Sequence, residues 1–114
     1  MLTAVFVPLG VLKLSGAAYM RDLFDAWGYG VVFLYAIGLW EVAAGMLVLV
    51  PRVASYGGAM LVLEMLGAAL THALNAEWPL LFAPFFMGML ALYVAWAWLP
   101  YATGTPHRMG APTR

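Results

Sequence analysis

Residues 78–99 read WPLLFAPFFMGMLALYVAWAWL, a run of 22 residues without a charged side chain. At about 1.5 Å per residue, a helix of this length crosses the roughly 30 Å hydrocarbon core of a bilayer. The rest of the chain fits the same environment, because 66% of its 114 residues are hydrophobic and only 9% are charged. Soluble domains carry about a quarter charged residues. The sequence therefore predicts a small integral membrane protein.

Three further apolar segments precede this run. Residues 31–50 are interrupted only by Glu41, and residues 53–74 only by Glu64 and His72. The chain before residue 20 is long enough to cross the bilayer only if all of it is helical. We predict an all-α bundle over residues 1–99, with four transmembrane spans at about 1–20, 31–50, 53–74 and 78–99. The short connections after the second and third spans make successive spans antiparallel neighbours.

The segment between the first two spans has two unlike faces. Residues 17–27 place apolar side chains on one helical face and charged ones on the other: Met20, Leu23, Phe24 and Trp27 against Arg21, Asp22 and Asp25. Such a pattern is typical of a short amphipathic helix lying flat in the membrane interface. Residues 100–114 contain three of the seven prolines and are predicted to form a mobile polar tail.

Charge and composition exclude several functions. The formal net charge is 0, so the chain lacks the basic field that nucleic acid requires, and we expect no nucleic-acid partner. The absence of cysteine excludes disulfides, iron–sulfur clusters and cysteine zinc sites. No metal site is predicted, because Glu41, Glu64 and His72 spread over about 12 Å along their helices. Whether the protein is an enzyme stays open.

The arginines predict an orientation in the membrane. Arg52, Arg108 and Arg114 collect on one side of a four-span bundle without an acidic neighbour, whereas the other side carries Asp22, Asp25 and Glu77 beside its one arginine. The positive-inside rule then places both termini in the cytoplasm. The N-terminus lacks the basic region and cleavage site of a signal peptide. We expect a multi-pass protein of the inner (plasma) membrane.

Three charged residues lie at a similar depth in the predicted spans. Glu41 is the eleventh of 20 residues and Glu64 the twelfth of 22, and Lys13 lies about 18 Å along the first helix. A charge at the centre of a membrane helix costs about 2.5 to 3.5 kcal/mol, so these side chains should face the bundle interior. We expect Lys13 to pair with one glutamate while the other is protonated, or the two glutamates to share a proton. The alternatives are an interhelical hydrogen bond for the glutamates and an interfacial position for Lys13.

Other polar side chains extend this candidate centre. His72 lies about 12 Å beyond Glu64 and could form a proton path together with Glu77, or simply bond a carbonyl at the helix end. The candidate proton-handling residues are Glu41, Glu64 and His72. The candidate ligand-binding residues are Lys13, Tyr35, Glu41, Glu64, Thr71, His72 and Tyr93, the two tyrosines because they lie deeper than the interfacial aromatic belts.

Several short motifs, in this order and spacing, resemble the DoxX-like family of four-helix membrane proteins over about residues 5–99. They are Lys13-Leu14-Ser15-Gly16, Gly28-Tyr29, Glu41-Val42-Ala43, Pro51-Arg52, Met65-Leu66-Gly67-Ala68 and Thr71-His72. The resemblance implies a four-helix bundle, and it marks matching positions at Lys13, Gly16, Glu41, Pro51, Gly67 and His72. Some members of the family are membrane subunits of quinone-linked oxidoreductases, and others assist the assembly of partner membrane proteins.

The resemblance favours a membrane oxidoreductase component that binds a quinone or another lipophilic molecule inside the bundle. The cofactor itself is not derivable from the sequence. The expected partners are the lipid bilayer, that lipophilic molecule, and a membrane or soluble redox protein or a second copy of the chain. Three alternatives stay open: an intramembrane acid–base enzyme acting on a terpenoid or sterol-like substrate, a small proton-coupled transporter, and a membrane-protein assembly factor.

Overall fold

A computed structural model describes residues 1–103. This part of the chain is helical and contains no strand. Its elements are α1 (Leu2–Leu14), α2 (Ala18–Ala26), α3 (Gly30–Leu47), α4 (Ala54–Leu74), a 3₁₀ turn (Trp78–Leu81), α5 (Phe82–Ala97) and α6 (Leu99–Ala102). The all-α class predicted from the sequence is confirmed.

Three helical segments are long and apolar enough to cross a membrane on their own. They are Gly30–Leu47, Ala54–Leu74, and Trp78–Ala97, in which the 3₁₀ turn leads directly into α5. Helices α1 and α2 together form a bent pair that can count as a fourth span. These segments agree with the membrane bundle predicted from the gaps between charged residues.

The first predicted span, 1–20, is divided into two helices. Helix α1 ends at Leu14, and α2 leaves it at an angle of 88°. Gly16 makes this corner with φ +71°, a backbone conformation that residues with a Cβ atom rarely adopt. Helix α1 is therefore about 20 Å long. Lys13, predicted a little past the middle of a longer helix, instead lies in the last turn of α1.

The helices pack as two pairs. Helix α1 lies along α3, α4 lies along α5, and contacts between α3 and α4 join the pairs, whereas α1 and α5 hardly touch. The first pair is close because of two glycines. A Cβ atom on Gly10 would lie 2.6 Å from the Gly38 carbonyl oxygen, so a larger side chain would force the two backbones apart.

Hydrogen bonds to backbone carbonyls connect the helices. The Thr3 hydroxyl of α1 donates to the Gly45 carbonyl of α3 at 2.7 Å. The Trp40 indole of α3 donates to the Met60 carbonyl of α4 at 2.9 Å. The Ser55 hydroxyl of α4 completes the series by donating to a carbonyl of α5. Without a hydrophobic drive between helices in lipid, such bonds contribute directly to their association.

Helix α2 covers one end of the bundle with its apolar face. Met20 and Phe24 are buried in a cluster with Leu34 of α3, whereas the charged side of α2 is exposed. This agrees with the predicted amphipathic segment 17–27. The predicted tail begins with the short helix α6, and residues 104–114 lie outside the described part of the chain.

Candidate functional site

A buried ion pair joins α1 to α3. The Lys13 ammonium donates to Glu41 Oε1 at 2.7 Å, and the two side chains are only 10% and 3% exposed. Gly38 lies nearly one turn before Glu41 and allows α1 to approach, since a Cβ atom there would lie 2.9 Å from Lys13 Cβ. The sequence left Glu41 and Glu64 as possible partners of Lys13, and in the structure the partner is Glu41.

The second glutamate lies beside this ion pair. Glu64 projects from the middle of α4, is largely buried, and faces the Glu41 carboxyl and the Lys13 ammonium. Its Oε1 atom is buried and has no hydrogen-bond partner among residues 1–103. The structure thus brings together one cation and two carboxyl groups, and one carboxyl oxygen has no hydrogen-bond partner among the described residues.

A cavity of about 190 Å³ adjoins Glu41. Its walls come from four helices and are formed by Val5, Phe6, Leu9, Glu41, Met65, Ala68, Ala83, Pro84 and Met87. Among these described lining residues, Glu41 alone has a charged side chain. The cavity lies where α1 and α5 hardly touch, and both Leu9 and Ala83 at its rim are exposed.

A second polar cluster lies at the end of α4. Glu77 Oε1 accepts a hydrogen bond from the Trp27 indole at 3.2 Å and lies 2.9 Å from His72 Nδ1. The Trp27 and His72 rings also pack edge to face, with centroids 5.5 Å apart. The Tyr29 and Thr71 hydroxyls form a hydrogen bond with each other at 2.5 Å. We call these five residues the end cluster, and it ties the α2–α3 junction to the far end of α4.

The predicted site residues therefore fall into separate groups. Lys13, Glu41 and Glu64 lie together, whereas Thr71 and His72 belong to the end cluster, about 12 Å along α4 from Glu64. The two tyrosines belong to neither group and are not among the cavity-lining residues. The Tyr35 hydroxyl lies against Gly16 at the α1–α2 corner, and Tyr93 is 63% exposed.

Sequence reasoning missed the hydrogen-bond partners of three aromatic residues and most of the cavity wall. The Trp27 indole donates to Glu77, and the Tyr29 hydroxyl shares a hydrogen bond with Thr71 of α4. The Trp40 indole likewise donates to a carbonyl of α4. The buried position of Pro84 beside Glu41 has no signal in the local sequence.

Within residues 1–103, no three histidine or carboxylate side chains lie close enough to hold a metal ion. A sequence model of the DoxX-like family matches residues 1–97. No curated protein and no solved structure gives a significant match.

Proposed function

The chain belongs to the DoxX-like family, and we propose on this basis that it is a component of a membrane oxidoreductase. In this proposal a quinone or similar lipophilic molecule binds in the cavity beside Glu41. The proposal assigns electron transfer to a second, partner protein.

The observation that carries this proposal is an apolar cavity with a single acid in its wall. Small-molecule sites combine apolar walls with a few convergent polar groups. An apolar protein cavity of about 150 Å³ holds benzene, so about 190 Å³ accommodates one substituted six-membered ring. A tail attached to that ring could leave between α1 and α5, where the two helices leave a gap toward the lipid.

The carboxyl groups beside the cavity are suited to proton transfer. Glu41 is bonded to the Lys13 ammonium, and Glu64 lies close enough to Glu41 to exchange a proton with it. Oxidation or reduction of a quinone moves protons as well as electrons, so a carboxyl pair beside the ring has a chemical purpose. We assign proton exchange with the ligand to Glu41 and Glu64.

We assign His72 a separate role in this scheme, as a relay at the end of α4. Its Nδ1 atom contacts Glu77, and both side chains are partly exposed, at 15% for His72 and 31% for Glu77. A proton entering there must still travel about 12 Å to reach Glu64. Water molecules in the bundle interior would have to carry it over that distance.

Native mass spectrometry with lipid extraction tests the proposal. The wild-type protein, purified in mild detergent, should retain a quinone-type molecule. Ala68→Phe places a ring in the cavity and should abolish this retention, whereas Ala59→Phe on the exposed side of the same helix should leave it intact. An extract containing a terpenoid or sterol instead would favour the acid–base enzyme. A protein that carries no lipophilic molecule, in wild-type or control form, would overturn the proposal.

The orientation is also part of the proposal. The bundle spans the inner (plasma) membrane, with both termini and the α3–α4 turn in the cytoplasm. The chain has no cysteine, so single cysteines can report on it directly. Arg52→Cys should react with a membrane-impermeant maleimide only in inside-out vesicles, and Asp22→Cys only in intact spheroplasts. The opposite pattern would reverse the proposed orientation.

A further inference from the structure

Helix α2 is joined to its neighbours by connections that contain glycine. Before its start the chain turns at Gly16, and after its end Gly28 and Gly30 have φ +85° and +79°, a backbone conformation that glycine adopts far more readily than other residues. A Cβ atom on Gly28 or Gly30 would meet nothing within 4 Å, so the space around both positions is open. Helix α2 is thus a segment of nine residues between two glycine corners.

The far end of α2 is fastened by one oxygen atom. Glu77 Oε1 accepts from the indole of Trp27, which follows α2 directly, and lies 2.9 Å from His72 Nδ1. The chain brings Glu77 back onto His72 by a turn at Ala76, whose φ of +55° is rare for a residue with a Cβ atom. Such strain persists where surrounding contacts impose it. In the described part of the chain, the Trp27 indole makes the only side-chain hydrogen bond of residues 18–27.

Under α2, one face of α3 leads to the buried ion pair. Met20 and Phe24 of α2 pack on Leu34, which is fully buried. Glu41 follows Leu34 by seven residues, about two helical turns, and therefore lies on the same face roughly 10 Å deeper. Lys13, which is bonded to Glu41, lies in the last turn of α1, directly before the corner that leads into α2. Helix α2 thus separates the end of the bundle from these two charges.

We infer that α2 is a hinged lid that controls the access of water to the Lys13–Glu41 ion pair, with the Glu77 carboxylate as its latch. When the lid is closed, the apolar face of α2 keeps water from the ion pair. When it is open, water reaches the pair, and through it the Glu64 carboxyl, from the end of the bundle. The lid goes beyond the proposed function, since it governs the entry of water whatever molecule the cavity binds.

Chemical modification of Lys13 tests the lid, because it is the only lysine of the chain. The protein in mild detergent is treated with sulfosuccinimidyl acetate, a water-soluble reagent that acylates amines, and the product is followed by peptide mass spectrometry. In the wild type the reaction should be slow, since the Lys13 side chain is 10% exposed. Glu77→Ala removes the latch and should speed the reaction about tenfold, the effect of losing one hydrogen bond to a charged acceptor.

Two further variants separate the latch from a general loosening of α2. Trp27→Phe keeps an aromatic ring but removes the indole donor, so it should also speed the reaction, and it decides alone if Glu77→Ala does not fold. Asp25→Ala removes an exposed carboxyl from α2 itself and should leave the rate unchanged.

The acylation rates decide the inference without any ligand present. An unchanged rate in Glu77→Ala or in Trp27→Phe overturns it, because Lys13 would then be shielded by something other than a latched lid. An equal increase in Asp25→Ala also overturns it, because the rate would then report any change in α2. Neither result bears on the quinone-type site, since retention of a lipophilic molecule in the cavity is measured separately.

Discussion

Removal of one partner of the Lys13–Glu41 ion pair should destabilise the bundle more than removal of both. Lys13→Met keeps the length of the side chain but leaves the Glu41 carboxylate buried beside Glu64 with no cation. Glu41→Gln keeps an oxygen for Lys13 to bond but removes the opposite charge. The double variant Lys13→Met, Glu41→Gln leaves no net charge at the α1–α3 contact.

The expected magnitude follows from burial. Since the two side chains are 10% and 3% exposed, loss of one partner should approach the roughly 3 to 5 kcal/mol measured for buried pairs. We expect Lys13→Met to lower the free energy of unfolding by about 3 kcal/mol and the double variant by about 1 to 2 kcal/mol. The coupling energy of the cycle should then be at least about 2 kcal/mol.

Unfolding in mixed micelles with increasing SDS, followed by circular dichroism, measures all four proteins on one scale. The cycle removes effects that belong to either residue alone. A coupling energy below about 0.5 kcal/mol would show that the ion pair does not hold α1 against α3. The same result would favour the alternative in which the Lys13 side chain lies at the membrane interface.

Two other contacts give predictions that stability and exchange measurements can check. A Cβ atom on Gly38 would lie 2.9 Å from the α1 backbone, whereas one on Gly67 meets nothing within 4 Å. In the same SDS titration Gly38→Ala should therefore cost about 1 to 3 kcal/mol, and a cost for Gly67→Ala as large as that for Gly38→Ala would contradict the close α1–α3 contact. Glu77→Ala removes the acceptor shared by Trp27 and His72, so backbone hydrogen exchange in α2 should increase severalfold. Unchanged exchange there would mean that the end cluster does not anchor α2.

The membrane helices were predictable because charged residues are so few. The apolar segments contain at most one acidic residue each and are about as long as a bilayer is thick, and the ends of α4 fall within a residue of the predicted segment 53–74. The corner at Gly16 was not predictable, because a glycine in an apolar run is equally compatible with a continuous membrane helix. Only the backbone shows its positive φ.

The candidate site was predictable in its charges and not in its shape. Lys13, Glu41 and Glu64 were grouped from depth alone, and the ion pair with Glu41 follows from the packing of α1 on α3. The cavity depends on which helices fail to meet, a property of the whole bundle. Likewise the bond between Trp27 and Glu77 joins residues 50 positions apart.

Photoaffinity labelling with an azido-quinone tests most directly whether a lipophilic ring binds beside Glu41. After peptide mass spectrometry, the label should fall on cavity-wall residues of α1 and α5, such as Leu9 and Met87. Excess short-tailed hydroquinone should compete with it, and Ala68→Phe should remove it. Label spread over outward-facing side chains such as Tyr93, without competition and unaffected by Ala68→Phe, would contradict the account.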